Sequence, residues 1–409
     1  MLSVNEALAA ILERANPLPA EERDLDEALG RVLAEDAVAR ENLPPFSNSA
    51  MDGFAMRASD VAGASAHDPV EIRVLADQPA GSPVSVRVRP GTGVRIMTGA
   101  QMPAGADAVV PVEHTAGSGS AVQVLRPVRP GSHVREAGED VRAGERVAAR
   151  GQVLRPAELG LLAAIGSVRV RVVRAPVVAV VTTGDELVEA GHMPGPGQIR
   201  DANIHSLCAQ VRAVGATPVP LPRVRDTHEA VRVALGQAWD AADVIVTNGG
   251  VSVGEWDHVR AVLEELGARQ VFWGVRQKPG RPMAFWEWNG RLVLGLPGNP
   301  VSCMVCFEEY VRPALRKMMG HRLLHRPVRT AALVDGFAKE SGDLRTHFLR
   351  VVAREEGSRL VVTSTGPQGS GVLSSMVRAN ALAVVTGESQ GVLPGGDVLV
   401  HLTELPEDR

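Results

Sequence analysis

Three stretches of this chain set glycine beside hydroxyl, amide and carboxylate side chains: Thr182-Thr183-Gly184-Asp185-Glu186, Thr247-Asn248-Gly249-Gly250-Val251-Ser252-Val253-Gly254 and Leu296-Pro297-Gly298-Asn299-Pro300-Val301-Ser302. Glycine lets a ligand approach the backbone, and free N–H groups at a helix start attract anions. A fourth stretch, Lys278-Pro279-Gly280-Arg281-Pro282, holds two cations on a stiff turn, which suits an oxyanion. Lys278 is one of three lysines among 43 basic residues. Asp185, Glu186, Asp226 and Asp257 fall on or beside the same loops. Capping of a following helix accounts equally well for Asp226 and Asp257, but less readily for Glu186, two residues past a loop glycine. Acids and cations around a phosphate-lined crevice predict a Mg²⁺-assisted reaction on a phosphoanhydride, the acids holding the metal and the cations the anion.

Other chemistries are excluded. No Gly-Lys dipeptide occurs, so the crevice is not a P-loop, and Gly249-Gly250 followed by Gly254 does not match the dinucleotide fingerprint. Cys303 and Cys306 have redox or metal spacing but lie in an apolar helical run without a second ligand pair, which reads as two buried structural thiols. The five tryptophans fall between 239 and 288 and read mainly as core or interface, with Trp256 placed to stack on a planar ring. A formal charge of −4 lacks the basic excess that nucleic-acid binding requires. No apolar run reaches bilayer length and no basic leader precedes the first helix, so neither nucleic acid nor membrane is an expected partner, and the expected location is cytoplasmic.

The elements that must position these residues change texture along the chain. Apolar residues at helical spacing predict a surface helix over 4–15, and a second helix is expected over 26–34. Short segments such as 84–88, 94–97 and 108–112, separated by glycine turns, predict a small β domain. It is read as an insertion, the chain returning to the N-terminal part through a short apolar helix near 159–164. Apolar runs at 177–181, 219–221, 244–246 and 292–294 alternate with helical stretches, which predicts a three-layer α/β/α domain with a mostly parallel sheet. Short segments at 360–364 and 381–385 predict a C-terminal β domain. The expected boundaries are 1–45 with 138–172, 46–137, 173–322 and 323–409.

Asn48-Ser49-Ala50-Met51-Asp52-Gly53-Phe54-Ala55 has no explanation in core patterning. It closely resembles the signature of molybdopterin molybdotransferases, the family of bacterial MoeA and the gephyrin E domain. Arg95-Ile96-Met97-Thr98-Gly99-Ala100, Ala137-Gly138-Glu139-Asp140 and the loops above match in the family's order across nearly the whole chain. The resemblance implies a C-terminal β-barrel-like domain and a homodimer. It also implies insertion of molybdate into adenylylated molybdopterin with release of AMP, an upstream molybdopterin adenylyltransferase, and a site between the α/β domain of one subunit and the β domain of the other. Carried over by position, it implies a functional set of Asp52, Thr98, Asp140, Glu186, Asp226 and Asp257, with Glu186 and Asp257 as metal ligands. Lys278, Arg281, Pro282, Ser302, Arg345 and Ser370 are the implied molybdate or phosphate group, with Arg345 and Arg350 unranked. The implied pterin and phosphate loops are Thr183, Gly184, Asp185, Gly249, Gly250, Ser252, Gly254, Pro297, Gly298, Asn299 and Pro300. Arg281 stands where many relatives have lysine, and Gly274 where some have another lysine.

Two alternatives remain. An adenylyltransferase shares the α/β domain but has no need of the others, and a scaffold has no need of acids and cations gathered in one crevice.

Overall fold

A computed structural model describes residues 1–82, 85–250 and 258–405. The chain forms two compact units, one of Met1–Glu21, Gly30–Val32 and Val172–Arg409 and the other of Glu22–Leu29 and Leu33–Arg171.

In the second unit a six-stranded sheet runs in the order Ala108–Pro111, Gly53–Met56, Thr92–Ile96, Val70–Gln78, Ala121–Val124, Thr115–Ala116. Phe54, Met56, Ile72, Val110, Val122 and Val124 form its core. Gly53 is needed where the 48–53 signature enters the sheet, because a Cβ there would collide with the Val110 carbonyl oxygen. The helix expected over 26–34 is absent. Only Leu25–Glu27 makes a 3-10 turn, and Gly30 (φ +74°) takes the left-handed conformation that ends helical runs. The N–H groups of Leu33 and Ala34 then donate to the Gln152 and Arg171 carbonyls, so tertiary partners replace helical ones. Of the strand expected at 84–88, Val84 lies outside the described residues and 85–88 carry no ladder.

The first unit is built on a sheet of order Thr217–Pro220, Val177–Thr182, Val244–Asn248, Arg291–Leu296, Ala284–Trp288, Arg269–Trp273. The first four strands are parallel, and Ala284–Trp288 runs antiparallel to both of its neighbours, Arg291–Leu296 and Arg269–Trp273. Pro218 and Pro220 sit on the edge strand, where a missing N–H costs no ladder bond. Alternation divides the core: Val178, Val180, Val244, Val246 and Leu294 face Leu207, Phe307 and Leu315, while Ala179, Val181, Ile245 and Val293 face Val231, Leu235 and Val262. That two-sided burial makes the three layers.

The N-terminal helix Val4–Arg14 begins with a capping box between Ser3 and Glu6 and buries Ala7 and Ile11 in the first of these cores. It belongs to the α/β unit. Beyond it, Thr346–Glu356, Arg359–Ser364, Val328–Leu333, Gly396–Leu402 and Ala381–Val385 pair in turn, and the last pairs back to the first to close a five-stranded barrel.

Candidate active site

Backbone register brings the three glycine loops together. Thr182 pairs with Asn248 and Asn248 with Leu296, so the loops leave adjacent parallel strands at one sheet edge, where open α/β sheets bind ligands. A buried amide network ties them. The Asn248 side chain donates to the Pro297 carbonyl (2.7 Å) and accepts from Asn203 Nδ2 (2.8 Å), which also donates to the Gly298 carbonyl (2.7 Å). The Thr182 hydroxyl donates to Asp201 (2.6 Å). Sequence reasoning missed Asp201 and Asn203, although Asp201-Ala202-Asn203 directly precedes and opens the helix Asn203–Ala213. Gly249 (φ +88°) has no room for a side chain, since a Cβ would lie 2.8 Å from the Thr183 carbonyl oxygen. Among the described residues the buried Asn203 Oδ1 and Thr247 Oγ1 find no partner, acceptor capacity that a donor-bearing ligand can use.

The acids gather beside this edge. Burial, then the charges of Glu186 and Asp185, raises the Asp226 carboxyl above its ordinary value, and the Asp226 N–H donates to Asp185 (3.4 Å). Thr227, not Asp226, caps the helix His228–Ala241. The exposed Glu186 folds back on Gly184, where a Cβ would stand 2.6 Å from Glu186 Oε2. Ser252, Gly254, Trp256 and Asp257 lie outside the described residues. Among the described residues no three His, Cys, Asp or Glu side chains converge to hold a metal.

The cationic turn is tethered to the barrel. Gln277–Lys278 pairs in parallel with Thr346 and His347. Arg345 makes a bidentate bond to Asp343 (2.7 Å to each oxygen), and Asp343 also binds His347 (2.8 Å). Arg350 differs. Its guanidinium is almost wholly enclosed, at 1% exposure. It donates to Ser375 Oγ (3.1 Å) and the Gly369 carbonyl (3.1 Å). Among the described residues it has no carboxylate bond, and burial lowers its pKa to about 10. The Ser370 carbonyl accepts from the Val301 N–H (3.2 Å), which docks the 369–371 loop on the first turn of the helix Pro300–Cys306, beside the buried Ser302. Arg350, Ser370 and Ser302 therefore lie on adjoining segments, while Arg345 is committed to Asp343.

Asp52, Thr98 and Asp140 belong to the other unit. Asp52 Oδ1 accepts from the Thr98 N–H (2.7 Å) and hydroxyl (2.8 Å), and these bonds hold the carboxyl below its usual range. Asp140 is exposed and its N–H donates to the Leu43 carbonyl (3.0 Å).

Known proteins are similar to this chain along nearly its whole length. Residues 2–166 match the MoeA N-terminal region (domain I and II), 179–317 a probable molybdopterin binding domain, and 330–403 the MoeA C-terminal region (domain IV). The molybdopterin molybdenumtransferase of Bacillus subtilis is 34% identical over 96% of this chain and 95% of its own length. The chain belongs to the MoeA family of molybdopterin molybdenumtransferases. Molybdopterin molybdenumtransferase 2 of Mycobacterium tuberculosis is 38% identical, over 92% of this chain and 93% of its own. The crystal structure of the molybdopterin biosynthesis MoeA protein of Pyrococcus horikoshii OT3 superposes with a TM-score of 0.81 at 32% identity, covering 98% of this chain and all of that one. These full-length matches set this MoeA-family chain apart from an adenylyltransferase built on the α/β domain alone. Among the described residues no helix is long and apolar enough to cross a membrane.

Proposed function

We propose that this MoeA-family enzyme inserts molybdate into adenylylated molybdopterin and releases AMP in a Mg²⁺-dependent reaction. The observation that carries this reading is one sheet edge joining three glycine loops, with an acid cluster on one side and the cationic turn and Arg350 reached through the other. Small backbone loops suit the pterin and its phosphates. Carboxylate oxygens such as those of Glu186 are the hard donors Mg²⁺ takes, and Asp185 and Asp226 add negative charge beside it; burial first, then the charges of Glu186 and Asp185, raises the Asp226 carboxyl. Glu186, with Asp257, would hold that ion, which when bound offsets phosphoanhydride charge. Lys278 and Arg281 hold the molybdate dianion, with Arg350, Ser302 and Ser370 completing an oxyanion seat. Two Mo–S bonds to the dithiolene replace one molybdate oxygen, which leaves as water with the two thiol protons, and hydrolysis of the phosphoanhydride by one water releases AMP.

In this reading the enzyme works as a homodimer, Asp52 and Thr98 of one subunit serving the crevice of the other, and receives its substrate from a molybdopterin adenylyltransferase. The test is incubation with adenylylated molybdopterin, molybdate and Mg²⁺. AMP should appear only when molybdate is present, with cofactor able to activate an apo-molybdoenzyme. Glu186→Gln should slow AMP release on the order of 100-fold without changing the fold. Consumption of ATP to pyrophosphate, with no molybdate-dependent AMP, would overturn the reading in favour of adenylyl transfer.

A further inference from the structure

Directly under the cationic turn lies a buried polar strut that none of the site residues above includes. Gln277 is completely enclosed. Its Nε2 donates to the carbonyls of Pro279 (3.1 Å) and Gly280 (3.3 Å) and approaches Cys306 Sγ (3.3 Å). Its Oε1 accepts from the Tyr310 hydroxyl, itself buried in the π-helical segment Phe307–Val311. Gly280 (φ +95°) rests so closely on this strut that a Cβ would collide with Cys306 Sγ and Gln277 Nε2.

We propose that Gln277, held by Tyr310, is the positioning residue of the Lys278–Arg281 turn and sets the site's affinity for molybdate. The physical reason is directional. A turn of five residues exposes its cations only if its carbonyls face elsewhere, and Gln277 draws two consecutive carbonyls inward. A primary amide suits this task because it offers two donors on one atom and one acceptor for Tyr310. Both partners are enclosed, so water cannot replace either bond. The turn is also fixed on its outer side, where Lys278 pairs with His347 on the barrel. Lys278 and Arg281 then meet an oxyanion with little freedom left to lose.

The inference rests on the reading that this turn holds molybdate, and the experiment separates the two. Gln277→Glu keeps the shape but, protonated in this enclosed site, offers one donor where the amide offered two. Tyr310→Phe loses a single hydroxyl and guards against a misfolded first variant. Each purified variant is compared with wild type and Lys278→Ala in two measurements. One is calorimetric binding of molybdate to the protein alone. The other is the dependence of AMP release on molybdate and, separately, on the adenylylated pterin. Gln277→Glu should raise the molybdate concentration for half-maximal binding and turnover roughly tenfold, and Tyr310→Phe less, with kcat and the pterin KM near wild type. Lower melting temperatures with unchanged molybdate dependence would reduce the strut to a structural role and overturn the inference. If Lys278→Ala leaves molybdate dependence unchanged, the turn does not seat the oxyanion, and the underlying reading falls with it.

Discussion

Asp226 is the acid whose environment says most about the site. Desolvation and the charges of Glu186 and Asp185 raise its carboxyl, so the folded protein holds this proton more tightly than the unfolded chain. The stability this contributes is present below the ordinary aspartate value and is lost as pH rises through the elevated one. In metal-free protein, Asp226→Asn should therefore gain stability relative to wild type as pH rises across that window. Thermal melts from pH 3.5 to 7.5 check this, and added Mg²⁺ should narrow the difference at neutral pH by stabilising wild type. A constant offset at every pH would show that the crowding has no consequence for folding. Asp52 is the opposite case, a carboxylate held ionised by two bonds from Thr98.

At the scale of elements, the three loops keep their spacing because amides clamp them. Asn248 reaches Pro297 from the neighbouring strand end, and Asn203 bridges Asn248 to Gly298 from a helix start. Truncating Asn248 leaves a buried carbonyl and a buried amide each short of a partner. Asn248→Ala should destabilise the α/β unit by about 1–3 kcal/mol for each group left unsatisfied, read from urea unfolding. The same variant should raise the KM for the adenylylated pterin more than that for molybdate, because the clamp lies on the loop side of the crevice. Equal changes in both would indicate a general loosening. Gly249 and Gly250 cannot be relieved by a neighbour's movement, since the obstacles are the Thr183 backbone and the branched Val259.

For the whole molecule the decisive question is which chain completes which site. Asp52 and Glu186 fall in separate compact units, and the proposed homodimer lets one subunit's β domain serve the other's crevice. Mixing inactive Asp52→Ala with inactive Glu186→Ala protein under conditions that exchange subunits should restore about one quarter of wild-type activity, half the dimers being mixed and each holding one intact site. No recovery after exchange has been verified by mass spectrometry would place each site within a single chain.

Sequence alone settled whatever depends on local chemistry. Glycine beside carboxylate at strand ends, two cations around Pro279, and apolar runs alternating with helical ones are readable from residue type and period, and they led to the α/β layers and the loops, while the family came from the resemblance of the 48–55 stretch and the motifs that follow it. The two β regions were legible as texture, since turn glycines and short apolar segments leave a mark, but closure of the C-terminal one into a barrel was not. What stayed hidden depended on partners far apart in the chain. The 26–34 segment has acceptable helical composition, yet the N–H groups of Leu33 and Ala34 bond to residues more than a hundred positions away. Asp201 and Asn203 carry no signal of their own until folding sets Asp201 against Thr182 and Asn203 against Asn248 and Gly298. Arg345 and Arg350, five apart on one chain, could not be ranked by sequence. Only folding shows one guanidinium neutralised by Asp343 and the other buried among neutral acceptors beside Ser370's loop. Gln277 gave no signal at all, because a glutamine's worth lies in where its two donors and one acceptor point, and tertiary packing against Tyr310 and Cys306 decides that.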